Sequence, residues 1–75
     1  MRLNELKKGD VAVIKKIYAK DPLKSRLLAF GFARGEKIRV LDHTLAKNTF
    51  EVEINNTKVA LREEEAKEIE VEKSE

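Results

Sequence analysis

Residues 50–61 contain the feature that most restricts the fold of this chain, two short apolar stretches separated by a pair of asparagines. In the first stretch, residues 50–54, apolar residues alternate with glutamates, which is the period of a strand with one buried face. The second stretch, residues 58–61, returns after Asn55 and Asn56, and asparagine tolerates the positive φ of a tight turn. The segment therefore predicts a β-hairpin.

Three further segments have the composition of strands. Residues 11–18 are rich in β-branched side chains, and residues 68–72 alternate isoleucine or valine with glutamate. Within residues 36–43, Ile38 and Val40 alternate with Lys37 and Arg39. Together with the hairpin they predict a sheet of about five short strands, a count that small β-barrels share.

The first strand needs an irregularity to bury its apolar side chains. Ile14 and Ile17 are three residues apart, so a regular strand would send them to opposite faces. A bulge at Lys15-Lys16 restores both to one face and bends the strand, as a small barrel requires. The predicted core comprises Val11, Ile14, Ile17, Leu27, Ile38, Val40, Val52, Ile54, Val59, Leu61, Ile69 and Val71.

One helix is predicted between the first two strands, at about residues 22–30. Asp21 can accept backbone N–H bonds as the N-cap, and Pro22 suits the first helical position. A second, short helical turn is predicted at about residues 62–67, before the last strand.

The helix end is marked by a glycine between two phenylalanines. Leu23, Leu27 and Phe30 recur at helical spacing and form one apolar stripe. Gly31 can adopt the left-handed conformation that ends a helix, and Phe32 would then pack back onto Leu27. The predicted fold is thus mainly β, a small, partly open SH3-like barrel with an inserted helix, formed by residues 1–72 and followed by a disordered tail at 73–75.

The composition favours neither an enzyme nor a metal site. The chain has no cysteine and one histidine, His43, which we expect in a surface loop. The glutamates at residues 63–65 and 68 lack a ligand spacing, and the three glycines do not form a phosphate loop. No apolar run reaches the roughly 20 residues that span a bilayer. We therefore expect no catalytic residue, metal, cofactor or small-molecule substrate, no membrane insertion, and a cytoplasmic location.

Charge is divided unevenly along the chain. Residues 1–41 hold 11 Lys and Arg against 4 Asp and Glu, whereas residues 42–75 hold 5 against 10. A basic half can meet nucleic acid, acidic lipid or an acidic protein face, although the charges of a small barrel can also mix on its surface. Few aromatic residues are present for base stacking, so a nucleic-acid-binding or regulatory module is the alternative rather than the preferred interpretation.

The order and spacing of several motifs resemble the FeoA family. The resemblance runs from about Leu3 to Val71 and rests on Leu6-x-x-Gly9, Ile14-x-x-Ile17, Arg26-Leu27-x-x-x-Gly31-Phe32-x-x-Gly35, Ile38-x-Val40, Val59-Ala60-Leu61-Arg62 and Glu65-Ala66-x-x-Ile69-x-Val71. It implies an SH3-like barrel and a non-enzymatic accessory role in bacterial ferrous iron uptake. The implied partner is the FeoB membrane transporter, through its GTP-binding domain or its membrane part, which would hold the chain at the inner face of the membrane.

The resemblance also implies a contact region around the helix and its exit turn. Carried onto this chain, the region comprises Lys24, Leu27, Leu28, Phe30, Gly31, Phe32 and Arg34, with Leu28, Phe32 and Arg34 as the strongest candidates. An exposed barrel edge additionally makes weak self-association a reasonable expectation.

Two positions depart from the family pattern. Arg34 stands where the family often has proline, and Asn55-Asn56 stands where the hairpin often has glycine. The same barrel also occurs as the C-terminal domain of metal-dependent repressors, but that arrangement needs a preceding DNA-binding domain, which we do not expect here. The sequence thus favours the transport accessory. It does not decide whether the region around Arg34 binds the same partner as in the family.

Overall fold

The computed structural model describes residues 1–74, which form one five-stranded antiparallel sheet with two helices. The elements are β1 Val11–Ile17, α1 Leu23–Ala29, β2 Lys37–Thr44, β3 Thr49–Ile54, β4 Thr57–Arg62, α2 Glu63–Ala66 and β5 Ile69–Lys73. The sheet order is β4-β3-β2-β1-β5, so the barrel is not closed between β4 and β5. This confirms the mainly β, partly open SH3-like architecture with one inserted helix and a short helical turn.

The hairpin of β3 and β4 turns at the two asparagines, as predicted. Asn55 and Asn56 have φ of 51° and 62°, the left-handed region that a two-residue hairpin turn requires. Ile54 and Thr57 pair across the turn. This register buries Phe50 and Val52, together with Ile54, on the inner face.

The bulge in β1 is also confirmed. The pairing of β1 with β5 shifts register between Ile14 and Lys16, which leaves Ile14 fully buried and Ile17 packed against the core. Side chains alternate between the two faces of a strand, so Ala12 points to the core like Ile14. Val11 is only half-buried. The prediction of Val11 as a core residue was therefore wrong by one position.

The core fills the space enclosed by the sheet and α1, and Phe32 and Phe50 are its largest buried side chains. A 3-10 turn at Leu3–Glu5 adds Leu3, and Leu6 follows from the next position. The other predicted members are confirmed, namely Leu27, Ile38, Val40, Val52, Ile54, Val59, Leu61, Ile69 and Val71.

Helix α1 begins one residue later than predicted. Pro22 occupies the N-cap position rather than the first helical position. Asp21 lies one residue earlier, and its carboxylate accepts hydrogen bonds from the backbone N–H and the hydroxyl of Ser25, with distances of 3.0 and 2.6 Å. Asp21 thus supports the first turn without being the N-cap itself. Neither helix in residues 1–74 is long and apolar enough to cross a membrane.

The N-terminal residues pair with β5, one of the two edge strands of the sheet. The Met1 carbonyl accepts a hydrogen bond from the Val71 N–H at 2.8 Å, and Arg2 forms an isolated bridge with Glu70, so the N-terminus covers part of the edge of β5. Strand β5 extends through Lys73, which the sequence had assigned to the tail, and Glu75 lies outside the described residues.

Candidate partner-binding groove

The end of α1 is a complete Schellman turn around Gly31. Gly31 has φ of 97°, and its N–H donates to the Leu28 carbonyl at 3.0 Å. The Phe32 N–H donates to the Leu27 carbonyl at 2.9 Å. The turn directs Phe32 into the core, where its side chain is 0% exposed. Phe32 was predicted as a contact residue, but a fully buried side chain cannot touch a partner on this surface.

The same turn leaves two neighbouring apolar side chains outside. Leu28 is 50% exposed and Phe30 is 42% exposed. The prediction that Phe30 completes the buried stripe with Leu23 and Leu27 was wrong, because the helix ends at Ala29 and Phe32 takes the core position instead. The helix therefore contributes one buried leucine, Leu27, and presents the next residue to solvent.

Beside Leu28 lies an open groove of about 420 Å³, formed by β1, α1 and the loop that precedes β2. The residues that line this groove, called the basic groove below, are Lys15, Lys16, Ile17, Lys24, Leu28, Ala33 and Arg34. Three of them are apolar and four are cationic. The basic groove thus combines an apolar surface with positive charge from three separate segments of the chain.

The structure brings together three of the residues predicted from sequence, Lys24, Leu28 and Arg34, in the basic groove. The four other predicted residues lie outside its lining. Leu27 and Phe32 are buried in the core, Phe30 is exposed two residues after Leu28, and Gly31 is half-buried with its Cα facing the Asn55 side chain. The predicted cluster therefore divides into groove residues, an exposed neighbour and the residues that build the turn.

Sequence analysis missed the contribution of β1. Lys15, Lys16 and Ile17 line the basic groove at the point where β1 bulges. The signal was present, because the bulge at Lys15-Lys16 was predicted as a backbone feature. What it did not reveal was that the exposed lysines of the bulge stand next to α1.

The cations of the basic groove differ in their partners. Lys15 Nζ lies 3.1 Å from Glu72 Oε1, and Lys16 Nζ lies 4.9 Å from the centre of the Tyr18 ring. Within residues 1–74, Lys24 and Arg34 have no carboxylate within salt-bridge distance. Lys24 and Arg34 are therefore the cations of the basic groove that are available to the carboxylates of a partner.

Tyr18 is oriented by a hydrogen bond next to this surface. Its hydroxyl donates to Glu70 Oε1 at 2.7 Å, and Arg2 lies 4.1 Å over its ring. The hydrogen bond raises the pKa of Tyr18 and lowers the pKa of the Glu70 carboxyl. The ring thus holds Lys16 and Arg2 in place rather than offering a free face for stacking.

His43 lies in β2 and not in a surface loop, which corrects the prediction. Its ring stacks on Phe50 with centroids 3.9 Å apart and planes inclined by 10°, and its Nε2 is buried without a hydrogen-bond partner in the described chain. In residues 1–74 no group of three His, Asp or Glu side chains is arranged to hold a metal ion. The structural role of His43 is packing against the core.

Residues 1–73 match the family model of the FeoA domain. A Campylobacter jejuni protein provisionally named Fe(2+) transport protein A is 44% identical over 71 residues, which cover 95% of this chain and 96% of that protein. A Porphyromonas gingivalis protein named as a fusion of Fe(2+) transport protein A with the Fe(2+) transporter FeoB is 38% identical over 72 residues, which cover 96% of this chain but 8% of the fusion.

Among solved structures, Stenotrophomonas maltophilia FeoA is similar along nearly its whole length. The TM-score is 0.84 at 32% identity, with 96% of this chain and 89% of that one covered. That protein is described as a procaryotic SH3 domain protein. The comparison agrees with the barrel topology derived above.

Proposed function

The chain belongs to the FeoA family, and from this premise we propose that it is a non-enzymatic, cytoplasmic accessory protein of ferrous iron uptake that binds a FeoB-type membrane transporter. The role of Fe(2+) transport accessory is common to the family. The transporter as direct partner, the cytoplasmic location and the absence of catalysis are the proposal.

The observation that carries the proposal is the Porphyromonas gingivalis fusion, in which a segment 38% identical to this chain is covalently joined to FeoB. A covalent link keeps two domains at high effective concentration, so a weak contact between them is sufficiently populated. Even a weak contact needs a surface of the FeoA domain that meets the transporter. The proposal therefore requires an exposed contact surface on this barrel.

The basic groove supplies such a surface. Leu28 is a half-exposed apolar residue flanked by Lys24 and Arg34, and an apolar anchor ringed by polar contacts is typical of a binding hot spot. Phe30, two residues after Leu28, is 42% exposed and is kept as a contact candidate, although it does not line the groove. We assign the contact to these residues, with Gly31 and Phe32 holding the turn that presents them.

The proposal is tested with the host's FeoB-type transporter purified in detergent and the folded chain in solution. We expect binding to the unmodified chain, and we expect Leu28→Glu and Arg34→Glu each to weaken it about tenfold or more, a loss of about 1.4 kcal/mol or more. Leu45→Glu and Lys47→Glu are the matched controls, because both residues are exposed in the turn between β2 and β3 and neither lines the basic groove.

Two results would count against the proposal in different ways. Absence of binding by the unmodified chain would remove the transporter as a direct partner. Normal binding by both folded groove variants would place the contact elsewhere on the barrel. Circular dichroism of each variant establishes that it is folded before its affinity is interpreted.

A second candidate function, nucleic-acid binding, is favoured by the four cations of the basic groove. It lacks the stacking platform that single-stranded binders use, since no aromatic residue of residues 1–74 lines this groove. Mixed-sequence DNA and RNA oligonucleotides in the same assay separate the two functions. Binding to oligonucleotides and not to the transporter would favour this second candidate.

A further inference from the structure

We propose that the basic groove binds an acidic segment of the transporter that places one apolar side chain against Leu28 and Ile17 and its carboxylates against Lys16, Lys24 and Arg34. This inference rests on the proposed function and specifies the chemistry of its partner. Acidic segments of the transporter that contain an apolar residue are expected to bind, and basic or neutral segments are not.

The apolar part of the basic groove adjoins the hydrophobic core. Ile17 is packed against the core, and Ala33 directly follows the fully buried Phe32. Leu28 rises from α1 beside them with half of its surface exposed. An apolar side chain that enters the groove is therefore removed from water against residues that adjoin the core, and burial of this kind stabilises a complex.

The charged part of the basic groove is not neutralised from within. Lys24 and Arg34 have no salt-bridge partner in residues 1–74, and none of the lining residues is acidic. Among the four cations, Lys15 alone has a carboxylate of residues 1–74, that of Glu72, within salt-bridge distance. A partner with carboxylates beside its apolar residue would pair with cations from β1, α1 and the following loop at the same time. A basic partner would repel these cations, and a neutral partner would leave them unpaired.

A protein segment fits this surface better than a membrane does. Among the lining residues, Leu28 is the large apolar residue that is exposed, and so little apolar area gives only marginal, reversible attachment to a bilayer. The proposed occupant of the groove is therefore a segment of the transporter, and binding to lipid is one outcome of the test.

The first measurement compares two double charge reversals of equal size on the whole folded chain. Lys24→Glu/Arg34→Glu changes the basic groove, and Lys47→Glu/Lys58→Glu makes the same change in charge at exposed residues outside it. We expect Kd for the detergent-purified transporter to rise at least about tenfold for the groove variant and less than about twofold for the control. Raising NaCl from about 0.05 M to about 0.5 M should weaken the unmodified chain and the control, and should change the groove variant little.

The second measurement identifies the chemistry of the partner. Overlapping synthetic peptides that cover the cytosolic segments of the transporter are immobilised and probed with the chain. We expect the bound peptides to be acidic and to contain an apolar residue, and we expect binding to be lost when the acidic residues become amides or the apolar residue becomes serine. Vesicles of phosphatidylglycerol are included as the lipid probe.

The outcomes separate this inference from the function on which it rests. A transporter that binds both double variants equally well, or bound peptides that are neutral or basic, would overturn the acidic segment while leaving the transporter as partner. Groove-dependent capture by the vesicles with no bound peptide would assign the surface to lipid instead. Failure of the unmodified chain to bind the transporter at all would remove the proposed function and this inference with it.

Discussion

The backbone N–H of Phe32 donates a hydrogen bond to the carbonyl oxygen of Leu27, with nitrogen and oxygen 2.9 Å apart. The bond closes the turn at the end of α1 and directs both side chains into the core, where Leu27 is 1% exposed and Phe32 is 0% exposed. Leu28, the residue after Leu27, remains 50% exposed and lines the basic groove. One local turn thus separates the two apolar residues buried in the core from the apolar residue exposed in the basic groove.

Adjacent leucines should therefore respond differently to truncation. Leu27→Ala should lower the free energy of unfolding by about 2–5 kcal/mol, because it removes a buried side chain and leaves a cavity. Leu28→Ala should lower it by less than about 1 kcal/mol, because the side chain is half in water already. Urea denaturation of both variants measures the difference, and equal losses would show that the assignment of the helix faces is wrong.

Gly31→Ala tests the turn itself. At a φ of 97° an added Cβ should cost about 1–2 kcal/mol in backbone strain. The new Cβ would also lie 2.6 Å from Asn55 Nδ2, so the Asn55 side chain has to move. Gly35→Ala is the matched control, because φ is 92° there and, apart from its two chain neighbours, residues 1–74 place no atom within 4 Å of the added Cβ.

The contribution of the Asn55 side chain to this destabilisation is measured by repeating both glycine substitutions in the Asn55→Gly variant. We expect Gly31→Ala to be more destabilising than Gly35→Ala, and we expect the excess to disappear when Asn55 is replaced by glycine, which accepts the positive φ of the hairpin turn. An excess that persists in Asn55→Gly would mean that the contact with the asparagine side chain is not its cause.

Features with a local cause were predictable from sequence. The hairpin at Asn55-Asn56, the bulge at Lys15-Lys16 and the turn at Gly31 each follow from residue types that favour one backbone conformation over its competitors. Once these three were fixed, the alternation of the strands assigned most of the core. The architecture is therefore largely encoded in short segments of the chain.

Features that depend on neighbouring elements were not predictable in the same way. Phe30 fits the apolar stripe of α1, but Phe32 occupies the core position and leaves it outside. The basic groove joins Lys15 and Lys16 to Lys24 and Arg34, and no spacing in the sequence reveals that the bulge of β1 stands beside α1. His43 resembles an exposed histidine in sequence, and only the pairing of β2 with β3 places it on Phe50.

His43→Phe should stabilise the chain by about 1 kcal/mol. The ring stack on Phe50 is retained by phenylalanine, whereas the buried Nε2, which has no hydrogen-bond partner in the described chain, is removed. Thermal and urea unfolding at neutral pH measure the change. His43→Ala serves as the control that removes the stack and should destabilise, and a destabilised His43→Phe would indicate that Nε2 is satisfied in solution.

Asp21 should make stability depend on acid pH. Its carboxylate accepts hydrogen bonds from the hydroxyl and from the backbone N–H of Ser25. Both bonds lower the pKa of Asp21 below the ordinary aspartate value, and the hydroxyl has the larger effect. Because the folded pKa is lower than the unfolded pKa, the unfolded chain binds more protons in acid, and stability falls as pH falls. The contribution of Asp21 is fully present above about pH 3.9, the value for an unperturbed aspartate, and is lost as pH drops through the folded pKa.

Asp21→Asn should therefore show a shallower loss of stability below about pH 3.9 than the unmodified chain, measured by urea unfolding over a pH series. Asp10 and Glu70 also have lowered pKa values, through the Lys7 backbone N–H and the Tyr18 hydroxyl respectively, so the unmodified chain retains a pH dependence that Asp21→Asn does not abolish. Ser25→Ala removes the hydroxyl donor and should raise the pKa of Asp21, which carboxyl-detected NMR titration reports directly. Because that titration reads one carboxyl, an unchanged Asp21 pKa in Ser25→Ala would show that the hydroxyl is not the source of the shift, whatever the unfolding curves do.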